Sequence, residues 1–155
     1  MKNHHYQVMV TWTGNQGLGT QDYKSYSRSH SISSEGKYEE ILASSDPAFR
    51  GDKTRYNPED LFLSSITACH MLWFLHLCSV HNITVTEYLD QAEGFMEESM
   101  DGSGRFTKVI LNPKVKVTDS QMINKANELH EEANKMCFIA NSCNFRIEHQ
   151  PTTKI

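Results

Sequence analysis

The stretch NPEDLFLSSITACHMLWFLHLC, Asn57 to Cys78, decides how this chain reads. Asn57 is a good helix cap and Pro58 fits the first helical position, where no amide partner is lost. Glu59 and Asp60 set negative charge at the positive end of the helix dipole. From Leu61 onward apolar residues surround the axis instead of forming one stripe, which predicts a helix buried on most sides that stops near His81 and Asn82. Inside it sits a cysteine, Cys69. A thiol there is either silent packing, the usual fate of a free cysteine, or a protected reagent.

Working outward, residues 5–13 alternate, with Tyr6, Val8, Val10 and Trp12 on one side, the period of a half-buried strand. Residues 23–32 alternate again, and residues 37–42 suit a third short strand before the loop SSDPAFRGDKTRY. Beyond the helix, residues 84–97 and 106–118 read as two long strands of a hairpin turning over residues 100–104. Asp119 or Ser120 caps a second helix to about Met136, with Ile123, Ala126, Leu129, His130 and Ala133 on one face. Residues 144–149 suit a final strand, which Pro151 ends. The order of elements predicts one α+β domain over residues 1–155, with antiparallel sheets around a long buried central helix.

Size and charge narrow the function classes. At 155 residues the chain can bury a core without metal or disulfide staples. A net charge of −4 with no run of Lys or Arg gives no field for a phosphate backbone, so nucleic acid is not an expected partner. The N-terminal residues lack the apolar run of a secretory signal, and the apolar run 66–80 is interrupted and falls short of the roughly 20 residues that cross a bilayer. The expected setting is the cytoplasm, off the membrane. There the four cysteines, 69, 78, 137 and 143, are not structural bridges, and any disulfide is transient and catalytic.

Cys78 lies nine residues past Cys69, on the opposite helix face and about 13 Å along, so those two cannot pair within one chain. Cys137, from another element, is free to approach Cys69. Arg50 and Arg55, with Asp52, lie in the loop that feeds the helix, and a thiol needs such a cation to become a thiolate at neutral pH. The histidines nearest each other on the helix, His70, His76 and His81, are spaced by six and five, which puts no two on one face as metal ligands. CxxC, HExxH, GxGxxG, phosphate-loop and GxSxG patterns do not occur, so neither metal nor cofactor is expected.

NPEDLFLSSITACH, followed some seventy residues later by CFIANS, resembles the OsmC and organic hydroperoxide resistance family over nearly the whole length. The resemblance implies a thiol peroxidase that reduces organic hydroperoxides and forms an intertwined homodimer with two active sites at the interface. Carried over by position, Cys69 resembles the peroxidatic thiol, Cys137 the resolving one, and Glu59 the acid that positions an arginine. Arg50 sits about where that arginine is kept in one branch, with Arg28 and Arg55 as the other candidates. The sequence departs from the pattern at His70, where a bulky apolar residue is common, and at CFIANS, where the family more usually has a CPxS type of sequence. An external dithiol of small-thiol or lipoyl type is implied as reductant.

One physical argument supports the dimer separately: ten helical residues put Glu59 about 15 Å from Cys69, and nothing between them breaks the helix. A composite site across a two-fold axis follows. The rival readings of the same residues are a non-enzymatic redox sensor and an apolar-ligand-binding protein in which the cysteines are incidental.

Overall fold

In the computed structural model, which describes residues 2–155, the first strands are shorter than their alternation suggests. β1 (Met9–Trp12), β2 (His30–Ser33) and β3 (Ile41–Ala43) form an antiparallel sheet in that order. Every residue of β1 is exposed, which corrects the half-buried expectation. Alternation reports that one face needs cover, and among the described residues nothing buries it.

The helix α1 (Pro58–Val80) begins and ends as its sequence dictates. Asn57 Oδ1 accepts from Asp60 N at 2.8 Å while Asp60 Oδ2 accepts from Asn57 N at 3.2 Å, a reciprocal cap of the first turn. At the far end Asn82 takes the left-handed conformation, φ 57, and Ile83 N reaches back to Cys78 O at 2.8 Å. Burial is where the sequence reading needs correction: in this chain only one face, Ile66, His70, Phe74, Leu77 and Cys78, is buried, and Leu72 is 63% exposed. Apolarity all round the axis describes a helix that something else must cover. With 23 residues α1 is also long and apolar enough to cross a membrane, a test that core helices pass as well.

The long hairpin forms, but broken into two by a kink. Its strands are β4 (Val85–Asp90), β5 (Glu93–Glu98), β6 (Gly104–Leu111) and β7 (Pro113–Val117), with β5 on β6 and β4 on β7. Pro113 has no N–H for the ladder, so Asp90 takes over: its Oδ1 accepts from Asn112 N at 2.8 Å, and its other oxygen accepts from the Thr67 hydroxyl on α1. The turn closes over Gly102, whose φ of 83 is open to glycine.

Asp119 caps a short 3-10 turn, Ser120–Met122, and α2 (Ile123–Met136) follows with Ala126, Leu129, His130 and Ala133 buried. The tail then pairs twice, as β8 (Arg146–His149) along β6 and β9 (Thr152–Lys154) along β7, both parallel. Two corrections follow. The two sheets that hold the hairpin are mixed, not purely antiparallel, and Pro151 interrupts the tail without ending it, because it falls at the same kink where Gln150 N bonds Leu111 O at 2.9 Å.

The chain divides into two compact units, Met1–Phe62 and Leu63–Ile155. In the second, one cluster gathers Phe74, Leu77, Val115, Val117, Leu129 and their neighbours, and another gathers Ile66, Val109 and Leu111. These clusters fix the two halves of α1 against the kinked hairpin, with α2 on the first of them.

Candidate functional site

Cys69 is half-buried at mid-α1, and Cys137 is fully buried at the C-terminal cap of α2. At Cys137 the backbone becomes extended, φ −69 and ψ 112, and the short 3-10 turn Ala140–Ser142 folds back so that Ala140 N donates to Cys137 Sγ at 3.4 Å. Cys69 lies near enough to Cys137 to act on its titration. Burial first, then the neighbouring Cys69, push the Cys137 thiol up to about 11, so it carries its proton at neutral pH. Trp73, one turn past Cys69, meets Phe138 edge-on at 5.8 Å, and His76 meets Trp73 at the same distance.

The other cysteines behave as packing. Burial pushes Cys78 up to about 11 inside the core, and also raises Cys143, whose Sγ–H donates to Ile139 O at 3.3 Å.

In the N-terminal unit the three candidate arginines part company. Arg28 is held between the rings of Tyr23 and Tyr26, 4.2 Å from each centroid, and donates to both backbone carbonyls, at 2.8 and 2.7 Å. That is a structural clamp. Arg55 pairs with Asp52 at 3.7 Å. Arg50 alone of the three has no side-chain partner among the described residues, and its backbone is left-handed, φ 64.

The turn enforces that conformation on Arg50. Asp46 caps it through Ala48 N at 2.7 Å, Arg50 N bonds Pro47 O at 3.0 Å, and Gly51 lies so close to Ser45 that a Cβ would sit 1.6 Å from the Ser45 carbonyl oxygen. A non-glycine residue kept in that region costs about 1 kcal/mol and marks a position kept for something other than stability. Arg50→Gly is therefore expected to melt no lower than wild type by circular dichroism. Glu59, half-buried in the first turn of α1, makes no ion pair among the described residues, with Arg50 or with any other group.

One constellation was not legible in the sequence. His149 (β8), His70 (α1) and His130 (α2) stack, with His70 centroids 4.9 Å from His149 and 5.2 Å from His130, and Phe74 lies 3.9 Å beyond His130. His70 Nε2 and His130 Nδ1 share a hydrogen bond of 2.9 Å. Burial, reinforced by the neighbouring imidazoles, holds His70 down at about 3 and His130 at about 4, so both rings are neutral at pH 7. Spacing within one helix cannot reveal rings that converge from three elements. Among the described residues no three His, Cys, Asp or Glu side chains are placed to hold a metal ion.

Comparison with known proteins bears on the fold and the family. The family model described as OsmC-like protein matches residues 51–151. An uncharacterized protein of Methanocaldococcus jannaschii is 32% identical over 96 residues, 62% of this chain; the match spans 49% of that relative, so the chain covers about half its length. An OsmC-like protein of unknown function from Vibrio cholerae superposes with a TM-score of 0.87 at 28% identity, covering 97% of this chain and all of that one. An organic hydroperoxide resistance protein from Elizabethkingia anophelis shares the fold, with a TM-score of 0.68 at 20% identity over 99% of each chain. The mixed sheets, the kinked hairpin and the long helix with its mid-chain cysteine are thus an α+β OsmC-like fold, and the chain belongs to the OsmC-like protein family.

Proposed function

We propose that this protein is a thiol peroxidase that reduces organic hydroperoxides through Cys69 and Cys137. The observation that carries the reading is the nearness of those two thiols, the half-buried Cys69 acting on the titration of the fully buried Cys137. The Cys69 thiolate attacks the terminal oxygen of the hydroperoxide; the O–O bond breaks, an S–O bond forms, and the alkoxide takes a proton and leaves as alcohol. The Cys137 thiol, proton-bearing at neutral pH, then displaces water from the Cys69 sulfenic acid and closes the disulfide. An external dithiol of the cytoplasm reduces the disulfide and restores both thiols.

A guanidinium beside Cys69 favours the thiolate, and Arg50 is the arginine left uncommitted, with Glu59 to orient it. Both come from a second copy of the chain in this reading, across a two-fold axis. What supports a dimer is uncovered apolar surface: Leu72 on α1, Met9, Val10 and Trp12 of β1, and Phe138, which is 64% exposed. Sedimentation equilibrium should give twice the chain mass for wild type and the single mass for Leu72→Glu. Trp73 and Phe138 give the thiols an apolar approach, which favours an alkyl or fatty hydroperoxide over hydrogen peroxide.

Thiol counting after cumene hydroperoxide tests the chemistry. Wild type should lose two thiols, Cys69→Ser none, and Cys137→Ser should yield a sulfenic acid that dimedone traps. A wild type that keeps all four thiols rules the peroxidase out.

A further inference from the structure

His70 directly follows Cys69 on α1, and His130 lies two turns before Cys137 on α2. Their shared hydrogen bond, 2.9 Å long, is thus a directional link between the two helices that bear the thiols, and both residues are 1% exposed. Around it the buried cluster shared by α1 and α2 is apolar, with Phe74, Leu77, Ala126, Leu129 and Ala133 among its members. The hydrophobic effect is non-directional, whereas a hydrogen bond holds two named atoms at a set distance and angle.

The hydrogen bond is also a costly choice for mere stability. With both rings neutral, one N–H fills it whichever tautomer is present, and the outer nitrogens, His70 Nδ1 and His130 Nε2, are left buried with no protein partner. One of these is then an N–H and the other a lone pair. Two apolar side chains of similar shape would avoid that cost, so the pair is better explained by the geometry it enforces.

We infer that the His70–His130 hydrogen bond is a positioning element that fixes the register of α1 against α2, and so keeps Cys69 and Cys137 at the separation from which a disulfide closes. The inference rests on the thiol pair acting together, as proposed above. Disulfide closure is sensitive to register, because the two Cβ atoms must come within about 3.5–4.5 Å. A slip of one residue along a helix moves a side chain by about 1.5 Å and turns it to another face. His149 stacks on His70 from β8 and limits its ring from the other side.

The test avoids hydroperoxide. Diamide oxidises a thiol pair directly: one thiolate adds to its N=N bond, the second thiolate displaces the adduct, and the diamide leaves as a hydrazine with two electrons and two protons gained. The readout is the rate at which the Cys69–Cys137 disulfide appears, mapped by mass spectrometry, in wild type, His130→Asn and His130→Leu. Asparagine places a polar atom where His130 Nδ1 stands and should close within about twofold of wild type, whereas leucine should close about tenfold more slowly. His70→Phe, which keeps a ring in the stack and removes the hydrogen bond, is the second variant and should match His130→Leu. Wild-type closure rates in either variant, folded by circular dichroism, overturn the positioning role, as does a wild type in which diamide never joins the two. Rapid closure with diamide in a protein that ignores hydroperoxides would overturn the peroxidase and leave the positioning role in place.

Discussion

Cys69→Ser is expected to lose organic hydroperoxide turnover by roughly a thousandfold or more, while melting within a few degrees of wild type. The reacting species is a thiolate, and a serine hydroxyl stays protonated and is a poor nucleophile toward peroxide oxygen. Replacing sulfur by oxygen at a half-buried position removes little packing, so activity and fold should separate cleanly. Neither cysteine outside the pair can stand in. Cys78 is locked in the core with its thiol at about 11, and Cys143 is committed to the Ile139 carbonyl. The check is residual cumene hydroperoxide with a dithiol reductant, alongside a thermal melt.

Acid is expected to unfold the protein early, with stability falling from about pH 6.5 down to about pH 4 and below. Burial, before any neighbouring charge, holds His70 at about 3 and His130 at about 4 in the folded chain, against 6.5 when exposed. His149 is lowered too, by burial, against the opposing pull of Glu131 on α2 and Asp90 on β4. Tyr88 on β4, which faces Phe74 at the end of the stack, is pushed above its usual range by burial and by Asp90, so it stays neutral throughout. The sign follows from proton counting. Below pH 6.5 the unfolded chain binds protons that the folded one does not, so stability is intact above that pH and drains as pH falls toward the folded values. Each pKa unit by which a folded-state value lies below the unfolded one is worth about 1.4 kcal/mol, so the loss of stability should be measurable. Urea midpoints at pH 7, 5 and 4 should fall steeply for wild type and less steeply for His130→Leu; equal slopes would remove the stack as the cause.

What the sequence made legible was local. Asn57, Pro58 and the acids after them define a helix start that depends on a few neighbouring residues, and Asp119 likewise caps its turn. The Asn112–Pro113 step was visible too, but its effect depends on Asp90 in the opposite strand, so the kink stayed hidden inside two long strands. Pro151 misled for the same reason: a residue with no N–H ends a strand unless it falls at a kink where no N–H is needed. The apolar surroundings of α1 and the alternation of β1 reported surfaces that need cover, and within the single chain they stay open. The candidate site divides in the same way. Cys69 and Cys137 were paired through a family resemblance, since no spacing rule joins residues in two separate elements. The histidine stack had neither resemblance nor spacing to reveal it, because its rings come from α1, α2 and β8.

The most direct measurement is a disulfide map of wild-type protein after one equivalent of cumene hydroperoxide, digested without reduction and read by mass spectrometry. The account predicts a single new linkage joining the Cys69 and Cys137 peptides, with Cys78 and Cys143 recovered as free thiols. Four free thiols, or a linkage that leaves out Cys69 or Cys137, would contradict it.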